Sequence, residues 1–199
     1  MKTSLHLVLD PEHLGEFFPI LRTGVSVKAR VGCSIRTLLC EQFKLDGEYV
    51  QGRVTTIFLD GKAVDDIDSV PIRDGSTLAL SAAMPGLAGA TIRRGGILAV
   101  MRGSITHKES GDRGPERNGT ITVKLFNLLL AEVGPDFLRR GILVKSSDLE
   151  NFFGRRTDAF WQGCREILLD GKPATPAQLK IGGWCPSGGV VNLSVAPKV

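Results

Sequence analysis

Ile57-Phe58-Leu59-Asp60-Gly61-Lys62 returns, almost letter for letter, as Ile167-Leu168-Leu169-Asp170-Gly171-Lys172. An apolar strand that runs into Asp-Gly marks a tight reversal, because both turn positions tolerate positive φ. Around this anchor the duplication widens. LRTGVSVK at 21–28 returns as LRRGILVK at 138–145, and Leu80-Ser81 followed by Pro85 returns as Leu193-Ser194 followed by Pro197. The offsets (138 − 21 = 117, 169 − 59 = 110, 193 − 80 = 113) drift only as loop insertions would make them. A repeat of that length is a whole small domain, so the chain predicts two copies of one unit.

Composition bounds the class. With 199 residues, 42% hydrophobic and 23% charged, the chain can bury one large core or two small ones, and the repeat favours two. No apolar run approaches the roughly 18 residues that cross a bilayer. Met1-Lys2-Thr3-Ser4 leads into alternation with Asp10 and Glu12 close behind, unlike a signal-peptide apolar stretch, so a cytoplasmic location is the default expectation. Cys33, Cys40, Cys164 and Cys185 form no CxxC pair, and His6, His13 and His107 are scattered, so neither a metal site nor a cofactor is expected; the thiols read as reduced and structural. Residues 1–89 hold 9 Lys/Arg against 11 Asp/Glu, a net of −2, leaving 16 against 10, or +6, for residues 90–199. The basic residues are spread out and aromatics are few, which argues for a solvated surface and against nucleic acid.

Each copy parses into the same elements. Alternating β-branched and apolar residues at 5–9 and 121–125 read as first strands, each followed by a compact helical stretch, 11–21 and 128–139. Gly24 and Gly141 close those stretches and launch second strands at 25–30 and 142–145. A short principal helix follows, opened by Ser34 with Ile35, Leu38, Leu39 and Phe43 on one stripe, and in the second copy by Ser146 or Ser147 with Leu149, Phe152 and Phe153. The third strands end in Asp-Gly-Lys. Irregular stretches at 63–73 and 173–181 then lead through Asp74-Gly75, or Ser187-Gly188-Gly189, to last strands at 77–82 and 190–195.

Strand, strand, helix, strand, loop, strand is the β-grasp layout, and the expected fold class is α+β: two tandem β-grasp (ubiquitin-like) modules, each a small mixed sheet with one principal helix. The expected division is a first module at 1–89, a connecting strand segment and polar loop at 90–119, and a second module at 120–199. Ile121-Thr122-Val123-Lys124-Leu125-Phe126, the stretch with Leu130, Gly134 and Phe137, ILLDGK at 167–172, and Ile72-Arg73-Asp74-Gly75 before the last strand of the first copy resemble the family of the molybdopterin-synthase small subunit and the thiamine-pathway sulfur carrier. The resemblance implies a carrier working through a terminal Gly-Gly whose carboxylate is adenylated and thiolated. This sequence ends Ala196-Pro197-Lys198-Val199, so that chemistry is not expected to transfer as it stands.

An internal pair, Gly95-Gly96 after Thr91-Ile92-Arg93-Arg94, looks like the ubiquitin tail; the competing reading is a turn or linker, with 97–101 continuing as a strand-like run. Arg93, Arg94, Gly95 and Gly96 are therefore the candidate partner or conjugation site. No Walker loop, GxSxG elbow or HExxH helix occurs, so no catalytic residue is nominated and no enzyme is expected. Asp65, Asp66 and Asp68 read as a solvated turn, and Trp161 and Trp184 as core. Three functions stay open: a non-enzymatic interaction or adaptor module with a protein partner and no membrane; a carrier processed after Gly96; and a small-ligand binder using a groove between modules.

Overall fold

The computed structural model describes residues 3–82, 84–103, 105–107, 114–186 and 188–198. Most of the expected polar loop (108–113), Ser187 of the second expected turn, and the terminal residues Met1, Lys2 and Val199 lie outside them. The protein is a mixed α/β structure. Its ten described strands fall, five and five, into two compact units, Met1–Ile20 with Val133–Val199, and Leu21–Glu132.

The chain opens with β1 (Thr3–Leu9), a 3-10 turn (Pro11–Phe17) and α1 (Phe18–Thr23), which carries it into the unit 21–132. Gly24 (φ 119°) then starts β2 (Val25–Val31). Ser34 caps the next helix as its sequence predicts, accepting the Thr37 amide at 3.2 Å, but α2 (Ile35–Thr37) lasts one turn before widening into a π-turn (Leu38–Gln42). Ile35, Leu38, Leu39 and Phe43 are all buried. α3 (Gly47–Gly52) follows, with Asp46 accepting the Glu48 and Tyr49 amides at 2.9 and 3.0 Å. β3 (Thr56–Leu59) and β4 (Lys62–Ala63) are joined by Asp60-Gly61, both at positive φ (50° and 80°), the hairpin read from Asp-Gly. β5 (Thr77–Ser81), α4 (Gly86–Ile92), a 3-10 turn (Ile97–Arg102), β6 (Arg117–Phe126) and α5 (Leu128–Glu132) complete the unit. Its strands lie in the order β4-β3-β5-β6-β2, with β5 and β6 parallel and every other pair antiparallel. Ile57, Leu78, Leu80, Val123 and Leu125 form its buried rows.

In the other unit α6 (Gly134–Arg140) ends at Gly141 (φ 99°) and β7 (Ile142–Lys145) follows. α7 (Ser146–Gly154) has Lys145, not a serine, at its N-cap; Ser146 is drawn into the first turn, where its hydroxyl donates to the Pro186 carbonyl. α8 (Asp158–Gln162), β8 (Cys164–Leu169), β9 (Lys172–Pro173), α9 (Pro176–Ile181) and β10 (Val190–Pro197) follow. The strand order is β7-β10-β1-β8-β9, with β1 and β10 parallel. Leu5, Leu7, Leu9, Leu193 and Val195 are completely buried, beside an aromatic cluster in which Phe17 and Phe152 lie 4.7 Å apart and Phe160 meets Trp161 edge-on at 5.1 Å. Trp161 is buried, while Trp184 keeps partial exposure.

The compact units are thus cut differently from the expected modules at 1–89 and 120–199. β1 belongs with 133–199, and β6 is the strand between β2 and β5 of the other unit. The physical reason is that 5–9 and 121–125 carry the same alternation of buried apolar residues, so either can fill a central position. A variant lacking residues 1–20 is therefore expected to lose amide-exchange protection in β8 and β10 by more than about tenfold, while β3 and β5 stay protected. Loss concentrated in β3 and β5 instead would refute the exchanged pairing.

Candidate functional site

The residues nominated from sequence come together on the connection between β5 and β6. The apolar run after Gly96 is not the expected strand; it coils as the 3-10 turn (Ile97–Arg102) against α4, and only the stretch past it reaches a strand, where Ala63 donates its amide to the Ile105 carbonyl at 2.9 Å. Gly89 allows α4 to close, since a Cβ there would collide with the Met84 carbonyl. Gly95 turns the chain at φ 63°, and its amide donates to Asp65 Oδ1 at 3.0 Å. The Gly96 amide donates to the Arg93 carbonyl at 3.1 Å. The Gly-Gly pair is held in a reversal.

Arg94 lies half-buried across the end of α3. Its guanidinium donates to the carbonyls of Val50 (2.9 Å) and Gln51 (3.3 Å), and its amide to the Thr55 carbonyl at 2.8 Å. A cation there satisfies carbonyls that a helix terminus leaves without intrahelical donors. Burial lowers its pKa from the ordinary arginine value, with Arg36 adding to the effect. The Arg93 side chain, by contrast, is exposed and has no hydrogen-bond or ion-pair partner among the described residues.

The anchor of the whole connection is Arg102. Its side chain is 2% exposed, and it pairs with Asp65 and donates to the Ile92 carbonyl at 3.3 Å. Asp65 so joins the 3-10 turn and the Gly95 reversal to the loop after β4. Nearby, Asp68 takes a bidentate grip from Arg36, which holds its carboxyl below the usual carboxylate range, and Asp66 accepts the Asp68 and Ser69 amides. The acidic trio read as a solvated turn is therefore tied into structure. Arg102 was not singled out from sequence, although a lone charge closing the run ILAVM signals a buried cation needing a partner.

These groups border a cleft of about 730 Å³ between the 65–68 loop and residues 93–98. Beyond it the connection presents unusual apolar exposure, with Leu87 at 70%, Ile97 at 94%, Val100 at 85% and Met101 at 69%. Isolated exposed apolar residues are ordinary; here four lie on one short, anchored connection. Chemically the site offers, among the described residues, an unpaired cation in Arg93 beside apolar side chains, which suits a carboxylate with an apolar neighbour. No three metal-ligating side chains converge among the described residues. All four cysteines are free thiols; Cys33 is buried, and desolvation pushes the Cys164 thiol up to about 11. No described helix is long and apolar enough to cross a membrane.

α3 also holds the chain where the unit 21–132 ends. Glu132 shares the Arg53 Nε–H between its two oxygens at 3.0 Å each, and accepts further from Arg53 Nη2 and from the Tyr49 hydroxyl at 2.7 Å. Arg53 first, and Tyr49 second, lower its pKa from 4.5 to about 2. Burial, reinforced by Glu132, raises that of Tyr49.

Comparison with protein-family models, curated proteins and solved structures finds no match to this chain.

Two outcomes follow from this geometry. Asp65→Ala leaves the Arg102 charge buried without its carboxylate. Allowing for the 37% exposure of the Asp65 side chain, it should destabilise the 86–102 connection by about 2 kcal/mol, read as faster amide exchange at Gly95 and earlier proteolysis there. A carboxylate with a depressed folded-state pKa stabilises above its unfolded value and loses that contribution as pH falls. Stability should therefore drop between pH 4.5 and about 2, and Glu132→Gln should flatten that part of the unfolding-versus-pH curve; an unchanged slope would contradict the clamp.

Proposed function

We propose that this chain is a non-enzymatic protein-interaction or adaptor module, cytoplasmic, built on two β-grasp-like units, and that it engages a protein partner through the connection between β5 and β6. The observation that carries the reading is the contrast between anchoring and exposure on that connection. A buried arginine–aspartate pair, an arginine across the end of α3 and a glycine reversal fix its inner side, while Leu87, Ile97, Val100 and Met101 face outward. Ordering a segment costs conformational entropy, and exposed apolar side chains return none of it until something covers them. Arg93 adds a cation at the edge of the apolar group, so the partner surface should pair an apolar patch with a carboxylate.

The β-grasp part of the reading is supported by the order β4-β3-β5-β6-β2, a parallel pair flanked by antiparallel strands, with the helical passage over 35–42 and the short α3 between β2 and β3. The same order of parallel and antiparallel pairs recurs in the other unit when it is read as β9-β8-β1-β10-β7. The competing carrier reading requires a cut after Gly96, and a protease would first have to open the Gly95–Asp65 contact and free Arg94 from α3.

Expression of the full chain in its native host, with a photo-crosslinking residue at Val100, tests the proposal. One defined protein should be captured and then recovered reciprocally. Ile97→Asp with Val100→Asp should weaken that complex by more than about tenfold while leaving thermal unfolding within a few degrees of the parent. Capture unaffected by the double substitution would remove this surface from the function.

A further inference from the structure

A second surface, separate from the 86–102 connection, carries its own assignment. Along β3, β5 and β6 alternate side chains enter the core, leaving Phe58, Ala79 and Lys124 in register across one row of the opposite face, with Ser81 and Phe126 paired in the next. The middle strand supplies small residues and its neighbours large ones. The result is a trough of about 470 Å³ along β5, walled by Phe58 on one side and by Phe126 and the Lys124 stem on the other. Strands two places apart stand about 10 Å from each other, room for one flat ring system between the walls.

The polar groups are placed as sparingly as in ligand sites generally. Lys124 lies over Gly24, where an added Cβ would come within 3.0 Å of its Cε and 3.1 Å of its Cγ; the missing side chain gives the aliphatic stem its seat. Its ammonium has no hydrogen-bond or ion-pair partner among the described residues. At the end of β6, Asn127 adopts φ 55° and donates its side-chain amide to Ser81 Oγ at 2.9 Å, closing the trough there. None of the described residues lining it is acidic, so the single cation is unopposed.

We propose that this trough binds a small planar aromatic carboxylate, its ring seated on Ala79 between Phe58 and Phe126 and its carboxylate on the Lys124 ammonium. An apolar floor with one unopposed cation selects an amphiphilic anion over a neutral apolar molecule, which gains nothing from Lys124, and over a cation, which it repels.

The test is a titration of the isotope-labelled full chain with 2-naphthoate, followed by amide NMR, with 2-naphthalenemethanol as the neutral isostere. Saturable shifts should appear in β3, β5 and β6, with a dissociation constant below about 1 mM. Lys124→Met keeps the stem and removes the charge; it should weaken naphthoate by roughly fivefold and leave the alcohol within about twofold. Ala79→Leu fills the floor and should abolish binding of both. The spectra themselves report whether each variant is folded, and the Lys124→Met comparison stands without Ala79→Leu. Shifts confined to 86–102, absence of saturation, or equal losses for acid and alcohol on Lys124→Met would each overturn the assignment. None of these results bears on the protein partner, which the Val100 crosslink tests by itself.

Discussion

Two neighbouring strands that run the same way cannot be joined by a tight turn, and that constraint organises this protein. β5 and β6 are parallel partners, so the chain leaving Ser81 must travel back along the sheet before it can re-enter at Arg117. The nominated residues of the candidate site, with α4, the Gly95 reversal and the 3-10 turn with its buried arginine, lie on that return path. A connection that topology makes compulsory is free to acquire a surface, because its length is already required by the sheet. β1 and β10 impose the same demand on the other unit, and there the intervening chain includes an entire second fold.

Arg102 shows how such a path is held. A charge with 2% side-chain exposure is tolerable only when paired, and Asp65 supplies the pairing from the loop after β4. The same carboxylate takes the Gly95 amide, so one oxygen ties two points of the return path to the sheet. Arg94 does the equivalent for α3, and α3 in turn carries Tyr49 and Arg53, which secure Glu132 at the far end of the unit.

The elements governed by local chemistry were legible in the sequence. Asp60-Gly61 and Asp170-Gly171 adopt the positive φ values their turns demand, Gly24 and Gly141 close their helical stretches, and Ser34 caps its helix. α9 has a local signal too, since Thr175 and Gln178 form a reciprocal capping box within the stretch expected to be irregular. The assignment of β1 and β6 was not legible, because alternation specifies that a strand buries one face without saying to which sheet it belongs. Of the nominated site residues, Arg93 through Gly96 do cluster, yet their neighbours Asp65 and Arg102 are distant in sequence. Neither the 65–95 contact nor the trough over Ala79 can be inferred from spacing alone.

The pairing of Leu5 with Leu193 has a consequence for biosynthesis. β1 lies between two partners, and its parallel neighbour β10 is made nearly 190 residues after it. At about 5–20 residues per second, that neighbour arrives roughly 10–40 s later. Throughout that interval Leu5, Leu7 and Leu9, fully buried in the finished molecule, have no permanent place. Nascent chains of this protein therefore carry an open edge prone to mispairing, and their safe maturation depends on translation speed and on whatever shields the N-terminal segment meanwhile.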